Sequence, residues 1–346
     1  MDIKKLKSIS EKNGKPFSAT FELTTKCNFK CGFCYVCNRD NNKQFHLVQK
    51  EKSTKDWLYM LEEAAKLGLL YATFTGGDVF VRKDFEEIYC KSYEMGLRPI
   101  INTNAALIDA SIVKFLRKYP PVRVEISLYG MSEATYQRVC GAGEAFEKVR
   151  NAIQLLIQNN VQILIKALAL RPLMADYTAM AEFIQKSQLP FLFGNYIYTQ
   201  RDNPNISNKT WQLTTNEIIN IRKFFIEQKL VKSPEKKQNF QTKAFTCGGG
   251  KTSFTITSDG KMQPCPTLSE CYTLPFDRGL EAAWNELREK VQAYACCAEC
   301  ESCEERAYCH NCPARRYSAT GSVEKCNDDI KAMARIKHEL CDYYQK

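Results

Sequence analysis

Between Phe17 and about Leu230 the chain repeats strand and helix patterns in turn, and few architectures accept that order. Phe17, Ala19, Phe21 and Leu23 alternate with more polar positions and read as a strand. Helical spacing follows over residues 53–67, where Ser53 or Thr54 can cap the start and Gly68 can end the helix. Further strands are expected at 70–75, 97–103, 122–128, 161–170 and 191–198, with helices at 84–95, 109–119, 144–158 and 176–186. Repeats of this kind imply a parallel sheet with helices outside, either an open doubly wound sheet or a barrel. In both, the chemistry belongs at the carboxyl ends of the strands.

The cysteines add a second constraint. There are 17 in 346 residues, six before residue 247 and eleven from Cys247 onward. No apolar signal region follows Met1-Asp2-Ile3-Lys4-Lys5, and no run approaches the roughly 18 apolar residues of a membrane span. The expectation is therefore a cytoplasmic protein without a membrane partner. There thiols stay reduced, and clustered cysteines bind metal more readily than they form disulfides. Lysine and arginine exceed the acidic residues 49 to 39, but the basic positions are scattered, which argues against a dedicated nucleic-acid face.

Beyond the alternating region, residues 231–243 are polar and rich in lysine and glutamine, a plausible linker. Residues 252–257 and 261–264 flank Ser258-Asp259-Gly260, a hairpin signature. Helices are expected at about 278–295 and 328–343, on either side of a cysteine-dense stretch. This reads as a small second domain, held together by metal rather than by a large core.

The first strand runs into Thr24-Thr25-Lys26 and then Cys27, Cys31 and Cys34, spaced C-x3-C-x2-C. Three thiolates on one loop can hold three corners of a [4Fe–4S] cube and leave one iron open. A structural zinc site would ask for four closed ligands, and Cys37 is the nearby fourth thiol. The loop, with Phe33 before its third cysteine, resembles the signature of the radical S-adenosylmethionine (SAM) superfamily. Other segments follow in that family's order. Gly76-Gly77-Asp78 is similar to its Gly-Gly-Glu turn, which approaches the SAM amino group. Asn102-Thr103-Asn104 resembles its Thr-Asn-Gly segment, with Ala105 in place of glycine. Ser127 matches the serine that touches the SAM ribose, and Arg138 the arginine that pairs with the SAM carboxylate. The resemblance names no catalytic residue beyond the SAM cluster. Cys90 and Cys140 fall outside any ligand spacing and read as buried apolar thiols.

The later cysteines resemble the SPASM extension of the same superfamily, which houses two auxiliary [4Fe–4S] clusters. Carried over, one cluster would use Cys300, Cys303, Cys309 and Cys326. The other would use Cys247, Cys265 and Cys312, with a fourth position open or drawn from Cys271, Cys296 or Cys297. Paired C-x2-C spacings also fit a double zinc ribbon. The resemblance thus implies an α/β fold: a partial (β/α)6 TIM-like barrel over residues 1–240, followed by a small cysteine-rich iron–sulfur domain over 241–346.

It also implies an enzyme that cleaves SAM reductively to a 5′-deoxyadenosyl radical and abstracts hydrogen from a C–H bond. Family members with this extension mostly crosslink or oxidise ribosomal peptides or proteins, so a peptide-modifying oxidoreductase is expected. Its electron donor would be of the flavodoxin or ferredoxin kind. Sixteen residues precede the first strand, too few for a winged-helix recognition domain, so a separate peptide-recruiting protein is a candidate partner. Pro266 follows Cys265, where sulfatase maturases of the family carry an aspartate base. The alternatives are a radical SAM enzyme acting on a small molecule, such as a cofactor precursor, and a zinc-binding module without catalysis.

Overall fold

The computed structural model describes residues 2–36, 51–201, 209–236, 245–295 and 297–344. Strands β1 (Ser18–Thr24), β2 (Tyr71–Gly76), β3 (Arg98–Thr103), β4 (Arg123–Ser127), β5 (Ile163–Leu168) and β6 (Phe191–Gly194) form six parallel neighbours in chain order. Between them run α2 (Thr54–Lys66), α3 (Phe85–Glu94), α4 (Ala110–Lys118), α6 (Ala145–Gln158) and α7 (Tyr177–Ser187), with α1 (Ile3–Lys12) ahead of β1. Ser53, one of the two expected caps, forms a capping box with Asp56 at the start of α2, and Gly68 leaves it with φ +94°. The α/β architecture with a parallel sheet is the one the sequence pattern implied.

Differences arise where local bonding overrides pattern. The last parallel strand stops at Gly194, four residues short of expectation, because the chain turns toward the later helix α11 (Pro313–Thr320). There the Tyr196 hydroxyl donates to the Arg315 carbonyl and the Thr199 amide to the Ser318 hydroxyl. Helix α5 (Glu133–Cys140) was not expected; Ser132 caps its start and Gly141, at φ +66°, ends it. Likewise α8 (Thr215–Glu227) forms on a capping box of Thr214 and Glu217.

The hairpin appears as β7 (Ser253–Ile256) and β8 (Met262–Gln263), antiparallel to each other. Strand β7 also pairs in parallel with β1, so the sheet order is β6-β5-β4-β3-β2-β1-β7-β8. After it come α9 (Pro275–Arg278), α10 (Leu280–Ala293), α11 and α12 (Asp328–Tyr344). Phe254, Trp284, Leu287 and Val291 join the same apolar core as Phe21, Trp57 and Phe74. The hairpin and α10 are therefore held by apolar burial, not by metal alone, because β7 completes the sheet edge that β1 would otherwise expose.

One face of the sheet is apolar and packed under helices: Phe21, Phe74, Ile101, Ile126 and Ile165 are buried there. The parallel register lines up the opposite face, bringing Glu22, Thr75, Asn102, Glu125, Ser127 and Lys166 onto neighbouring strands. No helix among the described residues is long and apolar enough to cross a membrane.

Candidate functional site

Cys27, Cys31 and Cys34 lie on the loop that leaves the carboxyl end of β1, all three half-buried. Glu51 anchors its approach, accepting from the Thr24 hydroxyl (2.9 Å) and the Thr25 amide (2.7 Å). The loop then docks on the end of α5, where the Lys30 amide donates to the Cys140 carbonyl (2.8 Å) and the Gly32 amide to that of Val139 (3.2 Å). Phe29 and Phe33 are buried and pack against Tyr129, with ring centroids 6.2 and 5.8 Å apart.

The turn after β2 clamps the same loop from the other side. The Gly77 amide donates to Thr24 O (2.8 Å) and the Asp78 amide to Lys26 O (2.9 Å). A Cβ on Gly76 would stand 2.2 Å from Thr24 O, and one on Gly77 2.1 Å from Lys26 O, so this close approach requires glycine. The Asp78 carboxylate is buried and accepts from Thr103 Oγ1 (2.7 Å), Asn104 N (2.8 Å) and Phe80 N (3.0 Å). Burial raises its pKa against those three donors. Its side chain thus fastens the end of β3 to the turn.

Asn104 completes the brace. Its Nδ2 donates to Asn28 Oδ1 (2.7 Å) and lies 3.7 Å from Cys27 Sγ. Ala105 takes φ +64° where the resembled segment has glycine. The Asn102 Oδ1 atom is buried on the polar face without a hydrogen-bond partner among the described residues. Ser127 lies on that face and contacts the Tyr129 hydroxyl. Arg138 is exposed in the last turn of α5, and its Nη2 lies 3.4 Å from Thr135 Oγ1.

The loop's electrostatics are those of a desolvated thiol cluster. Burial pushes the Cys27 thiol up to about 12, while the Phe29 amide pulls it back and Cys31 and Cys34 add to the rise. Cys31 is raised well above its ordinary value by its contact with the Cys140 thiol and by burial. Cys140 is therefore a neighbour of the loop as well as a buried thiol, and Cys90 is half-buried rather than buried. Coordination removes the proton from such thiols outright. Three thiols on one braced loop suit a cluster that needs three thiolates. Among the described residues, no three His, Cys, Asp or Glu side chains converge on a single metal ion.

Several residues near this loop had escaped the sequence reading. Glu22, fully buried on the polar face of β1, is gripped by Arg201 through Nη1 (2.9 Å) and Nη2 (2.5 Å). The same guanidinium donates to Pro266 O (3.2 Å) and lies over the Tyr35 ring, 5.7 Å from its centroid. One side chain thus links β1, the segment after Cys34 and the segment after Cys265. On β4 and β5, Glu125 is paired with Arg123 (2.6 Å) and Lys166 (3.0 Å). A glutamate between Phe21 and Leu23 was the available signal for the first of these networks.

The later cysteines fall into two neighbourhoods. Burial raises Cys265 to about 11, and the neighbouring Cys312 and Cys247 add to the rise. Burial also raises Cys326, whose cysteine neighbours are Cys297 and Cys309. The Asn311 amide donates to Cys309 Sγ (3.2 Å), and Cys300 Sγ lies 3.9 Å from Asn311 Oδ1. Cys303 caps the short turn Glu304–Ala307, half-buried. Cys271 is buried beside Tyr294, Lys290 and Glu270 instead. Cys37 and Cys296 lie outside the described residues.

A family model described as the radical SAM superfamily matches residues 21–178, which span β1 to the start of α7 and hold the braced loop. This segment is similar to the radical SAM domain. PqqA peptide cyclase of Granulibacter bethesdensis is 26% identical over 49% of this chain and 44% of its own length. The AdoMet-dependent heme synthase of Methanosarcina barkeri is 23% identical over 88% of this chain and 93% of its own. The chain spans less than half the length of several curated relatives that it matches. Streptococcus suis SuiB, in its complex with the precursor peptide SuiA, superposes on 94% of this chain and 79% of its own. The TM-score there is 0.71 at 17% identity, which establishes a shared fold.

Proposed function

We propose that this protein is an enzyme that cleaves SAM reductively and uses the resulting radical to modify a ribosomal peptide or protein oxidatively. The observation that carries this reading is the braced thiol loop: Cys27, Cys31 and Cys34, gripped between the Gly76-Gly77 turn and the end of α5. The peptide-acting relative named above favours a peptide substrate. A bound [4Fe–4S] cluster would supply the electron that cleaves SAM.

This chain's own residues would bind, orient and shield. Cys27, Cys31 and Cys34 would hold the SAM cluster, and Gly76, Gly77 and Asp78 would fix the loop beside it. Asn102, whose buried Oδ1 lacks a partner among the described residues, and Ser127 would receive the nucleoside on the polar face. Arg138, exposed and free of a carboxylate partner among the described residues, would take the SAM carboxylate. The domain reading follows the same line: residues 1–240 as the radical SAM core and 241–346 as a SPASM extension. In that extension Cys300, Cys303, Cys309 and Cys326 would hold one auxiliary cluster, and Cys247, Cys265 and Cys312 the other. Electrons would come from a flavodoxin- or ferredoxin-type donor in a reducing cytoplasm, and a separate protein would recruit the peptide.

Anaerobic reconstitution tests this. About twelve irons per chain are expected, from three cubes of four. Incubation with SAM, reductant and a small peptide encoded beside this protein should shift that peptide's mass. SAM cleavage without any peptide mass change would overturn the peptide assignment. Stoichiometric zinc with little iron would overturn the enzyme assignment. A second reading, action on a small cofactor precursor, is favoured by the similarity to the heme synthase, which extends over nearly the whole of both chains. Conversion of a tetrapyrrole, in place of the peptide, would support it.

A further inference from the structure

Arg316 carries a charge that no carboxylate among the described residues neutralises. It lies in α11 with 1% of its surface exposed, among the largest fully buried side chains. Its Nε donates to the Val323 carbonyl and its Nη1 to Asn311 Oδ1, both neutral acceptors. Its Nη2 is buried without a hydrogen-bond partner among the described residues. Among the described residues no carboxylate pairs with it, whereas Arg201 has Glu22 and Arg82 has Asp84. A buried guanidinium without a counter-charge is costly, and an anion beside it removes most of that cost.

The surroundings say which anion. Asn311, which takes the Nη1 bond, is itself bonded to Cys309 Sγ through its amide and lies beside Cys300 Sγ. It is buried and held at φ +47°, a left-handed turn that places both contacts on one short segment, Cys309 to Cys312. Cys312 then caps α11, which carries Arg316 one turn further on. The guanidinium is thus one side chain removed from two cysteines of the same neighbourhood. Four thiolates around a [4Fe–4S] core carry net negative charge in either oxidation state.

We propose that Arg316 is the internal counter-charge of an anionic iron–sulfur cluster held by Cys300 and Cys309 together with Cys303 and Cys326, with Nη2 as the hydrogen-bond donor available to it. The inference rests on the auxiliary-cluster reading above and adds a role for a residue outside any ligand pattern. Charge and hydrogen bonds to sulfur set cluster potentials. A fixed cation favours the more negative, reduced state, so Arg316 holds the midpoint of this cluster up. It is a positioning and tuning residue, not a ligand.

The test is a potentiometric titration, followed by electron paramagnetic resonance, of the reconstituted full chain, with iron counted for each variant. Arg316→Gln should keep the fold and lower the midpoint of one auxiliary signal. A tenfold change in its reduction equilibrium corresponds to about 59 mV for a one-electron couple. Arg316→Lys should stay close to the parent. Should Arg316→Gln lose about four irons while Arg316→Lys retains them, the counter-charge role is supported by occupancy instead. An unchanged midpoint with full iron in Arg316→Gln would overturn the proposal, as would equal loss of the cluster from both variants. The parent protein separates the two levels. If it shows no auxiliary signal, the cluster reading fails and takes this inference with it; if it shows the signal and the variants do not move it, this inference alone fails.

Discussion

The two cysteine regions differ in how their backbones are held. The first loop, 27–34, is fixed by groups that need no ligand: the Gly76-Gly77 turn on one side, the end of α5 on the other, and two buried phenylalanines between. The stretch 297–312 consists of short turns whose backbone bonds are local, such as Cys300 N to Cys297 O (2.9 Å), Arg306 N to Cys303 O (3.1 Å) and Cys309 N to Glu305 O (3.0 Å). Just beyond it, in α11, Arg315 Nε and Arg316 Nη2 are buried without hydrogen-bond partners among the described residues. The long-range ties of the stretch are side-chain contacts, such as Thr246 Oγ1 to His310 O (3.0 Å) and the Glu305–His338 pair (2.9 Å), and not clamps on its backbone amides. The first site is preorganised by protein contacts, and on the proposed cluster reading the second would be completed by its ligands.

Stripping the iron with a chelator under anaerobic conditions should therefore have the largest and most uneven effect. Proteolysis is expected to concentrate in 297–326 while the parallel sheet stays protected; simultaneous cleavage throughout would abolish the distinction. Next in size, Gly77→Ala should destabilise the first region by roughly 4 kcal/mol or more, since its Cβ would meet the Lys26 carbonyl. Denaturant unfolding measures this, and a loss under about 1 kcal/mol would show the brace to be soft.

Glu22→Gln should cost roughly 3–5 kcal/mol, because it removes the charge of a fully buried carboxylate from its bidentate contact with Arg201. The exposed pair Lys15–Glu281 is the control, expected at about 0–1 kcal/mol on removal. Equal losses at the two sites would remove burial as the explanation. The smallest effect concerns a surface cap remote from both regions. Glu217 is held at about 2 by the Thr214 amide and by the Arg171 guanidinium. A lowered folded-state pKa gives stability that is present above the unfolded carboxyl value and lost as pH falls toward 2. The melting difference between the parent and Glu217→Gln should accordingly stay constant at neutral pH and shrink through the acid range. A difference that grows on acidification would contradict the capping geometry.

Much of the sheet was legible because hydrophobic alternation and capping are local signals: Phe21 and Phe74 mark strands, and Ser53 and Gly68 mark the ends of a helix. The braced loop was legible for the same reason, its three cysteines lying within eight residues. What escaped was long-range. The pairing of β7 with β1, the Glu22–Arg201 bond across 179 positions and the nearness of Cys140 to Cys31 leave no local pattern. Asp78 was legible as a residue but not as a brace, since its partners, Thr103 and Asn104, lie on the next strand.

By itself the sequence determined which elements form and where three thiols gather, because helix periodicity, strand alternation and short ligand spacings are properties of neighbouring residues. Only the tertiary structure decided that the cysteine-rich part extends the same sheet, and that a guanidinium in α11 is buried among neutral groups. Both depend on closing chain loops of many residues, whose outcome is set by shared burial and not by any one segment.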